Sequence, residues 1–218
     1  PLRFTDPTGM VVCWDDEDKK RKKGSTDCNS EGSTKLRREY EARINNLLNS
    51  NNQKDQARGK SLQETYSKLQ KADEFFHVVK AGGSGSGELA YYGTPGHLYV
   101  EMQGGGQSTD LQKLGHEFEH GGQFLDGLLG FQKNGGKWTG YRDDLVDEAN
   151  AFMAGFAADP VTPGQGSFLN GLGQAATFGP QAVVNKLDTP GSPYYNRPNV
   201  QVPISNIPPS VYAVPRSK

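Results

Sequence analysis

Thr109–Leu129 reads TDLQKLGHEFEHGGQFLDGLL, and the periods in this stretch decide what kind of domain surrounds it. At about 100° per residue, Leu111, Leu114, Phe118, Leu125, Leu128 and Leu129 fall on one arc, the core face of a helix that Ser108 or Thr109 would cap. His116 and His120 lie about 40° apart on another face, so both imidazoles can reach one ion lying off the core side. The spacing His-Glu-x-x-His suits Zn²⁺, which takes imidazole nitrogen at about 2.0–2.1 Å. Glu117 projects roughly 100° from His116, close to the metal without being needed as a ligand. That is where a general base for a metal-activated water belongs. With four histidines in 218 residues, this spacing in the middle of an amphipathic helix is an unusual coincidence unless it is a site. Gly127 falls on the histidine face, where it would let another chain segment approach closely.

A catalytic zinc needs a third protein ligand and keeps a position for water. The next helical pattern, Asp143–Ala158, carries Leu145, Ala149, Phe152, Met153 and Phe156 on its apolar arc and stops before Asp159-Pro160. Glu148 stands at the margin of that arc beside Ala151 and Gly155, and a half-buried carboxylate needs a cation. Zinc would supply it, and an ion pair with Arg142 or a lysine is the alternative. Asp147 and Asp144 stay open as ligands, or as residues that hold the other ring N–H of a ligating histidine.

Working outward, Leu36, Tyr40, Ile44, Leu47 and Leu48, then Leu62, Tyr66, Leu69 and Phe76, recur at helical spacing either side of a polar break at Asn49–Gly59. Two amphipathic helices are expected between Leu36 and about Val79. Ala81–Gly87 is a Gly/Ser hinge. Glu88–Tyr92 and His97–Met102 alternate and are joined by Gly93-Thr94-Pro95-Gly96, a β-hairpin signature. The 28 glycines and 13 prolines, with 33% hydrophobic residues, predict one modest core with long loops. The expected architecture is α+β, mainly helical, with a small hairpin or sheet. The expected divisions are residues 1–10, a polar linker over 11–35, one domain over 36–187 and an extended, proline-rich tail over 188–218.

Net charge is −1, which gives no reason to expect nucleic acid as a partner. No apolar run is long enough to span a membrane, and residues 1–10 lack a signal-peptide pattern, so export would be directed from outside this stretch. Asp15–Asp18 followed by Lys19–Lys23, then Gly24–Thr34, has the composition of a solvated linker. Cys13 and Cys28 are fewer than a disulfide scaffold uses, which favours two free thiols over a pair.

LGHEFEHGGQF followed by VDEANAFMAG resembles the gluzincin metallopeptidases, in which two helices supply His, His and Glu. The resemblance covers about Leu111–Ala158 and implies a zincin-like fold, His116, His120 and Glu148 as zinc ligands, and Glu117 as base. The family's usual aspartate four residues beyond the ligand glutamate is replaced here by Phe152, so that supporting contact must come from elsewhere. There is no third histidine at the metzincin spacing. Zincins commonly lay an extended substrate along a strand, for which His97–Met102 is the expected edge, and Tyr141, Arg142 and His97 are candidates to stabilise an oxyanion. Leu2–Met10, with Asp6-Pro7-Thr8-Gly9, resembles the end of an Rhs/YD-repeat core, which would place the core's self-cleavage after Met10. That resemblance implies a polymorphic toxin, secreted or delivered into a target cell by a bacterial secretion system. Its partners would be a protein or peptide substrate, a cognate immunity protein and the Rhs-type carrier. A zinc-containing interaction module without proteolysis, and a zinc hydrolase of a non-protein amide, are the rival readings.

Overall fold

A computed structural model describes residues 12–14, 35–81, 87–104, 106–141, 144–199 and 211–213, and these form an α+β protein with six helices and two small sheets. Strand β1 (Val12–Trp14) precedes helices α1 (Lys35–Leu48) and α2 (Gln53–Lys71). Tyr40, Ile44 and Leu47 of α1 and Leu62, Tyr66 and Leu69 of α2 are buried, as their spacing requires. The break between the helices is shorter than expected. Asn52 accepts a hydrogen bond from the Lys54 N–H and starts α2 at Gln53, so Gly59 lies inside the helix. A Cβ there would stand 2.9 Å from the backbone nitrogen of Leu48, so this glycine allows the two helices to touch.

The second helix was expected to reach Val79, but it ends at Lys71. Ala72 turns extended at φ −67°, ψ 161°, and Phe75–Ala81 is strand β2. Phe75-Phe76-His77-Val78-Val79 is aromatic and β-branched, which favours the pleat, while the seven-residue step from Leu69 to Phe76 suits a helical period by coincidence. Strands β3 (Glu88–Ala90) and β4 (His97–Gln103) form the expected antiparallel hairpin, with Leu89 opposite Val100. The sheet order is β1-β2-β4-β3, with β2 parallel to both its neighbours. Two corrections follow. Val12–Trp14, assigned to the linker by the polarity downstream, is a sheet strand with Val12 buried in the core. Strand β4 is interior, so β3 rather than His97–Met102 is the outer strand on that side. Cys13 is disulfide-bonded rather than a free thiol, and Cys28 lies outside the described residues.

Helix α3 (Asp110–Leu125) opens on a capping box between Thr109 and Gln112. It ends before Leu128 and Leu129. The Gly127 N–H donates to Phe124 O and the Leu128 N–H to Gln123 O, with Gly127 at φ 67°. This is a Schellman stop, so Gly127 ends the helix and does not serve as a gap on the histidine face. Strands β5 (Gly130–Asn134) and β6 (Lys137–Tyr141) turn through Gly135 and Gly136, both at positive φ, a geometry that glycine enters without strain.

Helix α4 (Leu145–Ala158) is capped by Asp144, whose carboxylate accepts from the N–H groups of Val146 and Asp147. Helices α5 (Gly166–Ala176) and α6 (Pro180–Leu187) pack on it through a second cluster that includes Leu145, Ala149, Leu172 and Val183. Strand β7 (Val211–Tyr212) joins β5, giving the order β6-β5-β7. The extended tail is corrected over its first part, because residues 188–196 run in consecutive turns, while residues 200–210 and 214–218 lie outside the described residues. Asn196 takes φ 64° and donates its N–H to the Asp188 carboxylate. Among the described residues, no helix is long and apolar enough to cross a membrane.

What positions the site is the crossing of α3 and α4. A Cβ on Gly115 would meet Ala154 O at 2.9 Å, and one on Gly155 would meet Gln112 O at 2.7 Å. Two glycines therefore bring the helix backbones into contact. On its other side, α3 buries Leu114 in the main core and Phe118 against α1 and α2, with the Phe118 and Tyr66 rings stacked at 5.6 Å.

Candidate metal centre

His116 and His120 point their Nε2 atoms at one another across 3.1 Å. From α4, Oε2 of Glu148 lies 3.5 Å from the first nitrogen and 3.8 Å from the second. Zinc held by bonds of 2.0–2.1 Å in a tetrahedron separates its ligand atoms by about 3.3 Å, so the three atoms nearly trace one face of that tetrahedron. Glu148 is 5% exposed, and its Oε2 is buried with no hydrogen-bond partner. A buried carboxylate oxygen left without a donor, facing two imidazole nitrogens, fits a cation. The donor set His, His, Glu is that of a zinc site with a position left open. Burial alone would raise the Glu148 carboxyl. The two imidazoles and the Arg197 guanidinium outweigh burial and hold it well below the usual carboxylate range.

The tautomer of His120 is set by Gln123, one turn further along α3. The Gln123 amide donates from Nε2 to Asp147 O at 2.9 Å, which turns its Oε1 towards His120 Nδ1 at 2.7 Å. Nδ1 therefore carries the proton, and the Nε2 lone pair faces the cluster. Asp147 and Asp144 had been left open for this contact, or as ligands themselves. The Asp144 carboxylate instead caps α4, and Asp147 contributes its backbone carbonyl to Gln123. Phe152, at the position where gluzincins carry an aspartate, sets its ring edge-on to His116 with centroids 4.7 Å apart.

Glu117 is buried at 3% exposure, with its carboxylate taking a hydrogen bond from the Leu89 backbone of β3. Burial pushes its carboxyl above the ordinary range, against the opposing pull of His116, His120 and the Leu89 N–H. A carboxylate shifted upward is a better proton acceptor near neutrality. Gly87 lies so close that a Cβ there would meet Glu117 Cγ at 2.9 Å.

A cavity of about 160 Å³ opens over Glu117, both histidines and Glu148, between Leu89 of β3 and Phe131 and Gly140 of the second sheet. A smaller one beside His116 is closed by Phe152, Phe156 and Tyr194. Of the candidates for oxyanion stabilisation, His97 is paired with His77 at 2.8 Å and lines neither cavity. Arg142 lies outside the described residues, and Tyr141 ends β6 opposite Gly130. The aromatic residue that reaches both cavities is Tyr194, which the sequence reading had placed in the tail. Arg197 was likewise missed. Its Nη1 donates to Glu148 Oε1 at 3.1 Å, and its guanidinium carbon lies 4.8 Å from the Tyr194 ring centre. Neither residue carries a sequence signal, because turns bring them to the site from about fifty residues downstream of Glu148.

Comparison with protein-family models, curated proteins and solved structures finds no match for this chain.

Proposed function

We propose that the chain is a zinc-dependent peptidase of zincin-like architecture, with His116, His120 and Glu148 as metal ligands and Glu117 as general base. The observation that carries this reading is the unpartnered Glu148 Oε2 within 3.5–3.8 Å of both imidazole Nε2 atoms, beside a buried second carboxylate. Bound zinc supplies the positive charge that polarises a scissile carbonyl and makes a nearby water acidic. Glu117, held by the Leu89 N–H, takes the proton of that water and later delivers it to the leaving amine. The outer strand β3 borders the cavity, where an extended peptide can run alongside it, and this favours a protein or peptide substrate over a small amide. Leu2–Met10, which lies outside the described residues, supports the biological side of the proposal through its resemblance to the end of an Rhs-type core. In that setting the domain is an effector toxin, secreted or delivered into a target cell and neutralised at home by an immunity protein.

The test is metal content together with hydrolysis of a quenched peptide library. Wild type should hold one zinc per chain and lose activity on chelation. Glu117→Gln should keep the metal and lose roughly 10²–10⁴-fold in rate. Full activity of Glu117→Gln, or of the chelated wild type, would overturn the proposal. Expressed inside a cell, wild type should arrest growth and Glu117→Gln should not. Equal toxicity at matched expression would favour a binding module.

A further inference from the structure

The segment 188–199 reaches the candidate metal centre through Tyr194, which lines its cavities, and Arg197, which touches Glu148. Pro198 O accepts the N–H of Leu145, the first residue of α4, at 2.8 Å, which welds the segment to the start of the Glu148 helix. Beside it the Arg197 N–H donates to Tyr194 O, closing a turn, and Tyr194 packs edge-on against Phe152 with ring centres 5.8 Å apart. The turn aims the Arg197 guanidinium at Glu148 Oε1, at 3.1 Å, while Oε2 faces the imidazoles without a hydrogen bond. The two oxygens of this carboxylate therefore have separate surroundings.

We infer that Arg197 is the positioning residue that holds Glu148 as a one-oxygen ligand. This rests on the zinc reading and deepens it. A free carboxylate can turn about its last bond and offer both oxygens to a cation, filling the position that a catalytic zinc keeps for water. A charge-assisted hydrogen bond to one oxygen fixes the plane of the carboxylate and leaves the other for the metal. Arg197 also places a positive charge beside a buried anion, which α4 itself does not supply. The aspartate that gluzincins place four residues after the ligand glutamate is absent here, and Arg197 gives this site a different ligand-orienting contact.

The experiment uses the full chain as wild type, Arg197→Met and Arg197→Lys. Zinc affinity is read by competition with a chromophoric chelator, and coordination by the visible spectrum after loading with Co²⁺. Arg197→Met should bind zinc roughly 10–100-fold more weakly, the usual loss when a ligand-orienting partner is removed. Its cobalt absorption should weaken as the ion moves from four- towards five-coordinate. Arg197→Lys, which keeps one donor, should recover part of the affinity. Circular dichroism of the metal-free proteins shows whether each variant folds, and if Arg197→Met does not, Arg197→Lys is read against wild type by the same two measurements. Affinity within twofold of wild type and an unchanged cobalt spectrum in the folded variants overturns the inference while leaving the zinc site in place. Wild type that binds neither ion overturns the zinc reading itself.

Discussion

Replacing Gly155 by alanine adds one methyl group where α4 crosses α3. That carbon would stand 2.7 Å from the Gln112 carbonyl oxygen and 3.6 Å from His116 Cβ, whereas ordinary contact begins at 3.4 Å. A helix carbonyl cannot swing aside as a side chain can, so the two helices must separate by roughly 0.7 Å. Glu148 sits two turns earlier on α4, about 10 Å along its axis, and a rigid shift carries its carboxylate by a similar amount. Metal–ligand distances tolerate only about ±0.2 Å, so part of the shift must be absorbed by a strained rotamer or a longer bond. Zinc affinity should fall at least tenfold, about 1.4 kcal/mol. The fold should survive, because overpacking costs about 1–3 kcal/mol while removal of a mid-helix glycine returns about 1 kcal/mol. Gly122→Ala is the control. It lies on the histidine helix, but its Cβ would meet only Thr65, at 3.4 Å, so stability should rise and affinity should hold. Chelator competition gives the affinities, and urea unfolding of the metal-free proteins gives the stabilities. If folded Gly155→Ala binds zinc as tightly as wild type, the crossing distance does not set the ligand geometry.

Three other outcomes are expected. Glu148→Ala should lose most zinc affinity and Asp147→Ala much less, since only Glu148 sends an oxygen into the cluster; a zinc titration showing the larger loss for Asp147→Ala removes Glu148 from the ligand set. Gln123→Leu should weaken zinc binding roughly 10–100-fold by releasing the His120 tautomer, and an unchanged dissociation constant by chelator competition would count against that role. Glu119 is pushed above the ordinary carboxylate range by burial, against the pull of its Thr65 hydrogen bond. Its contribution to stability is present below that range and lost as pH rises through the raised folded value. Metal-free Glu119→Gln should therefore be more stable than wild type at about pH 7 and equal to it near pH 4, as read from urea midpoints.

The parts of the site that were legible in the sequence are those whose geometry is local. A helix places residues four apart on one face whatever surrounds it, so the grouping of His116, His120 and Glu117 could be expected before any fold was known. Glu148 was legible through a weaker argument, a carboxylate at the margin of an apolar arc. Other features rest on choices between similar periods or on chain returns. Phe76 satisfies a helical step from Leu69 and also the alternation of β2, and the parallel partner β4 decides between them. The β5–β6 turn had a signal in Gly135-Gly136, but the two strands around it lack a clear apolar alternation, with half of their residues exposed. Tyr194 and Arg197 had no comparable signal, since nothing in a turn-rich segment states which helix it will lie against.

The same distinction separates the two halves of the candidate metal centre. His116, His120 and Gln123 lie on consecutive turns of α3, so the helix alone brings both nitrogens and the tautomer-setting amide together. The amide is then locked by the Asp147 carbonyl at the start of α4. Glu148 has no such local support. Its position depends on two glycines that bring α4 against α3, on Asp144 capping its first turn, and on an arginine that arrives last in the chain. A two-histidine half-site would therefore need only α3, whereas the proposed three-ligand site would need the completed packing of α4 and residues 188–199. Variants that disturb α4 or Arg197 should lower affinity while leaving weak two-histidine binding, whereas loss of either histidine removes both. In the proposed site, metal binding and the tertiary fold would thus be coupled through Glu148, the one member of the cluster that α3 does not supply.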